Sequence, residues 1–138
     1  MYEMTYWSSA SPDLRDEDIP VILEKAREFN STHNITGCLL YHKRRFVQML
    51  EGEKEVVQAL YSKIAQDPRH SDILLLAEGY KDERVFAGWS MAYYQLSKGE
   101  VLDEKLFIDN FITFSDLTRK STFSSLLFWG AAKNLLEK

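Results

Sequence analysis

The heptapeptide Phe-Val-Gln-Met-Leu-Glu-Gly places one polar amide, Gln48, on the expected buried face of a strand. Because side chains alternate along a strand, Phe46, Gln48 and Leu50 share one face, and the two residues between them point to the other. A buried primary amide without partners costs about 1–3 kcal/mol, so Gln48 is expected to make a structural hydrogen bond or to face a polar ligand. Taken alone, the strand favours the structural role, since buried polar groups are usually paired within the protein.

Other side chains that could contact a ligand fall at the ends of predicted elements. Tyr6 closes the first strand, Asn30 ends the first helix, and Trp89, Ser90 and Met91 open the last strand. Where two helices lie side by side over a sheet, these positions surround the groove between the helices, and the strands form its floor. A flat ligand could enter such a groove.

The apolar periodicity predicts the elements that must position these side chains. A helix beginning near Asp16 or Asp18 has one apolar face, and the polar run from Asn30 to Asn34 ends it. A second helix is predicted over 53–66, strands over 1–8, 35–42, 46–51, 73–77 and 89–96, and a hairpin turn at Lys43, Arg44 and Arg45. The strand over 73–77 is continuously apolar, which is typical of a buried strand. The order β-α-β-β-α-β-β indicates an α+β, ferredoxin-like fold with one extra strand and both helices on one face of a mixed sheet.

The opposite face of this sheet needs its own cover, which two amphipathic segments after Gly99 could supply. Helices are predicted within 101–108 and 123–136, with Ser121 or Thr122 as the N-cap of the second. One interpretation is packing on the open sheet face, another is a surface for a partner or a second copy, and the two are compatible. The sequence therefore predicts a domain over 1–96 and a C-terminal helical extension over 97–138.

Composition limits the possible classes of function. The chain has 138 residues and a formal net charge of −4, so it fits one domain and lacks the basic face that nucleic-acid binding requires. No apolar run approaches the ~20 residues of a membrane span, and residues 1–6 lack the features of a signal peptide, which predicts a cytoplasmic protein. The lone Cys38 is expected to be buried. His33 and His42 lack metal-ligand spacing, so no metal site is predicted.

Seven short motifs follow one another along the first 96 residues. They are Thr-Tyr-Trp-Ser-Ser-Ala (5–10), Ala-Arg-Glu-Phe-Asn (26–30), Asn-Ile-Thr-Gly-Cys-Leu-Leu-Tyr (34–41), Phe-Val-Gln-Met-Leu-Glu-Gly (46–52), Ile-Ala-Gln-Asp-Pro-Arg-His (64–70), Arg-Val-Phe (84–86) and Trp-Ser-Met (89–91). In this order and spacing the chain resembles the BLUF family, the blue-light sensors that use flavin. Because the ~40 residues that follow are fewer than a typical domain requires, the chain resembles the short, stand-alone type and is not expected to be an enzyme.

The resemblance implies roles for individual residues. Tyr6 would be the electron and proton donor to the photoexcited flavin, and Gln48 would relay between Tyr6 and the ring. A phenol is acidic once oxidised, and an amide offers both a donor and an acceptor, so it can reverse the sense of a hydrogen bond. Asn30 would hold the polar edge of the isoalloxazine, although its position also suits a helix C-cap. Trp89 and Met91 correspond to a switching strand, where one residue or the other packs beside the Tyr-Gln pair.

The resemblance also implies the outline of a flavin slot. Arg69 and His70 would lie near the polar side of the flavin, or would form a solvated turn whose charge favours the helix dipole. The other expected contacts are Ser8 and the apolar Ile22, Phe29, Leu39 and Leu40, which could equally be core residues. The implied cofactor is FAD, with FMN or riboflavin as alternatives. The implied partners are a second copy of the chain and a downstream protein.

Two other classes of function are open. A small hydrolase of the acylphosphatase type would need a glycine-rich anion loop with an arginine, but Gly37 and Gly52 stand alone. A chromophore-free interaction module would need none of this chemistry. The leading interpretation is a photoreceptor that signals by changing its contacts with protein.

Overall fold

The computed structural model describes residues 1–95 together with Leu127, Phe128, Gly130 and Ala131. In chain order the elements are β1 (Tyr2–Ala10), a 3₁₀ turn (Asp16–Asp18), α1 (Ile19–Thr32), β2 (Thr36–His42), β3 (Arg45–Gly52), α2 (Lys54–Ala65), β4 (His70–Tyr80) and β5 (Ala92–Gln95). The predicted helix over 101–108, most of the helix over 123–136 and the extension proposed after residue 96 lie outside the described residues. Within the described part, no helix is long and apolar enough to cross a membrane.

The described strands form one mixed sheet in the order β4-β1-β3-β2-β5. Neighbouring strands are antiparallel except β2 and β5, which run parallel. Both helices pack on the same face, where Ile19 and Leu23 of α1 and Val57 of α2 join the buried residues of the strands. The fold is therefore α+β with the predicted ferredoxin-like order of elements.

Turn chemistry explains how the two central strands are joined. Lys43 and Arg44 have positive φ angles of 47° and 69°, as a two-residue hairpin turn of type I′ requires. Arg45 belongs to β3, so the predicted three-residue turn is one residue too long. The short turn fixes the register that places Leu39 opposite Gln48.

Two strands differ from the prediction. The run expected to be a buried strand belongs to β4, which lies at an edge of the described sheet, and its Leu74 is 50% exposed. That expectation is wrong because an apolar run does not reveal whether neighbours cover both faces of a strand. The last strand begins at Ala92 rather than at Trp89. Trp89, Ser90 and Met91 therefore belong to the β4–β5 connection.

The sheet face opposite the helices carries a second core. Its buried residues are Cys38, Leu40, Val47, Met49, Phe86 and Phe128. Phe128 is fully buried, and its ring meets that of Phe86 edge-on with the centroids 5.9 Å apart. For the described C-terminal residues, this contact agrees with the expectation that a helix after Gly99 packs on the open face.

A buried charge network binds the start of the β4–β5 connection to the sheet. The Lys81 ammonium contacts the carboxylates of Glu3, at 2.5 Å, and Glu51, and the three side chains are at most 2% exposed. The Glu51 carboxylate also accepts the backbone N–H groups of Val85 at 2.9 Å and Phe86 at 2.7 Å. Since unpaired buried charges are costly, this half of the connection is held firmly.

Candidate functional site

A cavity of about 320 Å³ lies between α1 and α2, with the sheet as its floor. Its volume is in the range of small-molecule sites in proteins. Of the residues predicted to contact a ligand, the cavity brings together Tyr6, Ser8, Ile22, Phe29, Asn30, Leu39, Gln48, Arg69, His70 and Met91.

Two predicted residues lie elsewhere. Leu40 follows Leu39 in β2 and therefore points to the opposite face, where it is fully buried in the second core. The expectation that Leu40 forms a wall of the slot is wrong. Trp89 does not line the cavity and is 60% exposed, whereas Met91 lines it and is 2% exposed. In this structure Met91 is the residue that packs beside Tyr6 and Gln48.

Gln48 lies between a phenol and a thioether on the cavity floor. The antiparallel register of β1 and β3 places Tyr6 opposite Gln48, and the Tyr6 hydroxyl donates a hydrogen bond to Oε1 of Gln48. On its other side, Nε2 of Gln48 donates to Sδ of Met91 at 3.5 Å. Rotation of the amide by half a turn would present Nε2 to the Tyr6 oxygen, so the direction of this hydrogen bond can be reversed.

Tyr6 lies in a dry environment. Its side chain is 1% exposed, and the edge of the Tyr61 ring packs against it with the centroids 5.2 Å apart. Burial raises the pKa of the Tyr6 phenol far above its ordinary value, with a smaller contribution from Tyr61. The environment therefore favours the protonated phenol, and oxidation would make it far more acidic.

Two side chains of α1 hold the backbone of the β4–β5 connection. Asn30 lies inside the last turn of α1, which continues to Thr32, so the alternative role as helix C-cap is wrong. The Asn30 Nδ2 atom donates to the Ser90 carbonyl oxygen at 2.7 Å, and Arg27 Nε donates to the Met91 carbonyl oxygen at 3.0 Å. The role of Arg27 was not predicted from the sequence, although its place three residues before Asn30 puts both side chains on one side of the helix.

His70 fixes Ser8 at the edge of the floor. Nε2 of His70 lies 2.6 Å from the carbonyl oxygen of Ile64, which can only accept, so Nε2 carries the proton. In the neutral ring, Nδ1 then accepts the Ser8 hydroxyl at 3.0 Å. Both ring nitrogens of His70 are thus satisfied by the protein.

Arg69 lies on the exposed side of the cavity and is paired with a neighbour. Its Nε atom donates to the two carboxylate oxygens of Asp67 at 3.0 and 2.9 Å. Hydrogen bonding to Arg69 lowers the pKa of the Asp67 carboxyl and raises that of the guanidinium. The pair contributes no net charge to the cavity.

The cavity suits a flat ring that has one polar edge. Ile22, Phe29 and Leu39 give it apolar walls, and the amides of Asn30 and Gln48 each offer a donor and an acceptor. An isoalloxazine presents a carbonyl and an N–H side by side, which is the complement of such an amide. The residues present therefore fit a flavin.

Comparison with known proteins also indicates a flavin-binding domain. The BLUF family, described as sensors of blue-light using FAD, matches residues 1–92. The photoactivated adenylate cyclase subunit beta of Euglena longa is 39% identical over 89 residues, 64% of this chain and 10% of that protein. The blue light- and temperature-regulated antirepressor BluF of Escherichia coli (strain K12) is 33% identical over 93 residues, 67% of this chain and 23% of that protein. The structure of the BlsA photo-activated state aligns with a TM-score of 0.71 at 34% identity, over 98% of this chain and 94% of that one.

The fold and the cavity together define a flavin-binding sensory domain. Because the family match extends over 1–92, the chain belongs to the BLUF family, whose members sense blue light with FAD as cofactor. The chain spans about a tenth of the cyclase relative and about a quarter of the antirepressor. These two similarities therefore concern one part of each relative.

Proposed function

We propose that this chain is a blue-light receptor that signals by rearranging the hydrogen bonds of Gln48. The observation that carries the proposal is the contact series from Tyr6 through Gln48 to Met91 on the floor of a cavity that fits a flavin. FAD, when bound, absorbs blue light and accepts the electron that an oxidisable side chain supplies. Asn30 and Gln48 would hold its polar edge, with Ser8, Arg69 and His70 nearby, and the apolar walls would exclude water from its ring.

Tyr6 is the oxidisable group of the site. Its buried phenol is protonated in the dark, because burial raises its pKa. Loss of an electron to the bound flavin would make the phenol strongly acidic, and its hydroxyl already points at Oε1 of Gln48, which would relay the proton toward the group that took the electron. The chain needs no covalent bond to the cofactor, since the change consists of the transfer of an electron and a proton and of rearranged hydrogen bonds.

Gln48 converts this proton movement into a changed contact. In the structure its Oε1 accepts from Tyr6 and its Nε2 donates to Met91. If the amide turns by half a turn, Nε2 no longer donates to Met91. It then donates to the Tyr6 oxygen, so the hydrogen bond between Gln48 and Tyr6 runs in the opposite direction. Met91 immediately precedes β5, which pairs with β2. A changed contact of Met91 can therefore alter the position of β5 in the sheet.

The signal leaves through contacts with protein. A coupling free energy acts only through an element whose packing differs between two states, and the β4–β5 connection with β5 is that element. The second core joins this region to Phe128 of the C-terminal segment. A second copy of the chain and a downstream protein are the partners in this proposal, and the buried free thiol of Cys38 is compatible with a cytoplasmic location.

Absorption spectroscopy of the full chain loaded with FAD, before and after blue light, tests the proposal. We expect a small, reversible red shift of the flavin band. Tyr6→Phe and Gln48→Ala should each bind flavin and lose the shift, since phenylalanine cannot donate the proton and alanine cannot relay it. Tyr41→Phe is the matched control, because it removes a buried phenol that bonds to Asp16 at 2.9 Å rather than to Gln48.

The outcomes separate the possible functions. A normal shift in Tyr6→Phe or Gln48→Ala would contradict the assigned roles, and loss of the shift in Tyr41→Phe would show that the assay reports general damage. A chain that stays colourless after reconstitution with flavin would favour the enzyme or the chromophore-free module.

A further inference from the structure

One part of the cavity wall comes from the irregular segment 11–15, which connects β1 to the 3₁₀ turn. Its Leu14 is 5% exposed and lines the cavity. Pro12, Asp13 and Arg15 beside it are exposed. The segment therefore inserts one apolar side chain into the cavity wall while its other side chains stay in solvent.

The side chain of Arg44 holds this segment in place. Arg44 lies in the tight turn between β2 and β3, and its guanidinium reaches two backbone carbonyl groups of the segment. Nη1 donates to the carbonyl oxygen of Leu14 and Nη2 to that of Ser11, each at 2.5 Å. The backbone N–H of Leu14 donates to the Ser11 carbonyl oxygen at 3.0 Å, which is a bond within the segment. The bond from Arg44 therefore links Leu14 to the central sheet.

The other irregular parts of the described lining are held in different ways. The turn at Asp67 and Arg69 is closed by the paired side chains of these two residues, and the carbonyl group of Met91 is held by Arg27. The remaining described lining residues belong to helices and strands, which could move aside only if ladders of backbone hydrogen bonds broke. Segment 11–15 is thus the part of the described wall that opens at the lowest cost, since its opening breaks the two bonds from Arg44.

We infer that Arg44 is a positioning residue of the flavin site, which holds Leu14 in the cavity wall and thereby sets the rate at which flavin enters and leaves. The inference rests on the proposed function only in placing a flavin in the cavity, and it does not depend on the photochemistry. A ring enclosed between two helices and a sheet can pass only if part of the wall moves aside. Release of both Arg44 bonds lets Leu14 withdraw.

This role has a kinetic consequence that differs from that of a binding contact. Arg44 does not line the cavity, so its two bonds are present whether the cavity is empty or filled. The same bonds break when flavin enters and when it leaves. Their loss therefore accelerates both processes by the same factor and leaves the ratio of bound to free flavin unchanged.

The variant Arg44→Asn tests the inference. Asparagine is too short to reach the segment, and it tolerates the positive φ of 69° at this turn position. The rate constants for FAD binding and release should each rise roughly fivefold to fiftyfold, as expected for two lost hydrogen bonds from a charged donor, while the dissociation constant stays within about threefold. Stopped-flow fluorescence of the flavin-free full chain mixed with FAD gives the first rate constant. Exchange of bound FAD for excess isotope-labelled FAD, read by mass spectrometry, gives the second.

Lys43→Asn is the matched control. Lys43 is the other residue of the same turn and also has a positive φ, of 47°, so this variant removes one positive charge and leaves both bonds of Arg44 in place. Its two rate constants should stay within about twofold of the wild type, as is usual for surface substitutions.

The outcomes separate this inference from the proposed function. Wild-type rates of FAD exchange in Arg44→Asn, a change in only one of the two rate constants, or an equal acceleration in Lys43→Asn would each overturn the inference alone. A merely stabilising role of Arg44 would lower the free energy of unfolding without accelerating binding and release in parallel. Failure of the wild type to bind FAD would overturn the proposed function and this inference with it.

Discussion

The side-chain nitrogen of Asn30 donates a hydrogen bond to the carbonyl oxygen of Ser90 across 2.7 Å, although sixty residues separate the two in sequence. The residue proposed to bind the cofactor thus also holds the backbone beside Met91. Occupancy of the cavity and the position of the β4–β5 connection therefore depend on one side chain, and a change at either can bias the other.

Replacement of Asn30 by alanine should weaken flavin binding. The polar edge of the ring would lose its donor and acceptor in a dry cavity, at a cost of about 1–3 kcal/mol, which corresponds to a roughly tenfold to hundredfold higher dissociation constant. Fluorescence titration of Asn30→Ala with FAD measures this change. Unchanged affinity would leave Asn30 with only its structural bond to Ser90.

Replacement of Arg27 by alanine should loosen Met91 without weakening flavin binding. Arg27 holds the Met91 carbonyl oxygen but does not line the cavity, and one lost hydrogen bond should raise the accessibility of the Met91 thioether roughly twofold to tenfold. The measurement is the rate of oxidation of Met91 by peroxide in the dark, read by mass spectrometry. The buried Met4 and Met49 are internal references.

Arg15→Ala provides the matched comparison for Arg27→Ala, since Arg15 is exposed and lies outside the cavity lining. If Met91 oxidised at the same rate in both variants, the bond from Arg27 would not be what holds the connection.

Stability should fall at mildly acidic pH because of His42. Burial lowers the pKa of its imidazole below 6.5, and Lys43 adds to this effect; Arg45, its cross-strand partner, is a further cation. The folded state therefore favours neutral His42, and the unfolded chain binds the proton first as the pH falls through 6.5. The free energy of unfolding should be full above this pH and decline below it.

Urea unfolding at pH 7.5 and pH 5.5 tests this pH dependence. His42→Gln, which cannot titrate, should lose less stability between the two values than the wild type does. Identical losses would mean that other groups cause the decline.

Removal of the Phe128 ring should uncouple the C-terminal segment from the sheet. Phe128→Ala empties a fully buried position in the second core and should cost about 3–5 kcal/mol of stability. The red shift should persist, because the cavity lies on the other face, whereas any light-dependent change in oligomeric state should diminish. Size-exclusion chromatography in dark and light measures the second effect, with Leu127→Ala, at a half-buried neighbour, as the comparison.

If Phe128→Ala changed its assembly under light as the wild type does, the signalling surface would lie elsewhere on the domain. Loss of the red shift itself would show that the second core supports the cavity directly.

Much of the cavity floor could be predicted because strands impose a simple alternation. The pattern around Gln48 placed Phe46 and Leu50 on the same buried face as Gln48, and both are buried against the helices. The same alternation excludes Leu40 from a floor that contains Leu39, because neighbouring residues of a strand point to opposite faces. A shift of one residue along a strand moves a side chain from one face of the sheet to the other.

The residues that could not be predicted from the sequence are charged side chains on helices. Lys25 and Lys63 line the cavity, and Arg27 donates to the Met91 carbonyl oxygen. Lys25, Arg27 and Lys63 are exposed, and in sequence they resemble an ordinary solvated helix face. Only the packing of α1 beside α2 brings the two lysines to the cavity. Only the packing of the β4–β5 connection beside α1 brings Met91 to Arg27. The edge position of β4 was missed for a related reason, since strand order depends on contacts between distant segments.

The β4–β5 connection is fastened at both ends, to Glu51 near its start and to Arg27 and Asn30 near its close. A segment of this length without these contacts would respond to a small displacement by adopting other conformations. Here the ordering entropy has already been lost during folding, at about 1–2 kcal/mol per residue, so the segment has few alternatives left. If the Met91 sulfur is displaced, the backbone beside it cannot readily adopt other conformations, and the stiffness of the connection sets how far the displacement is transmitted.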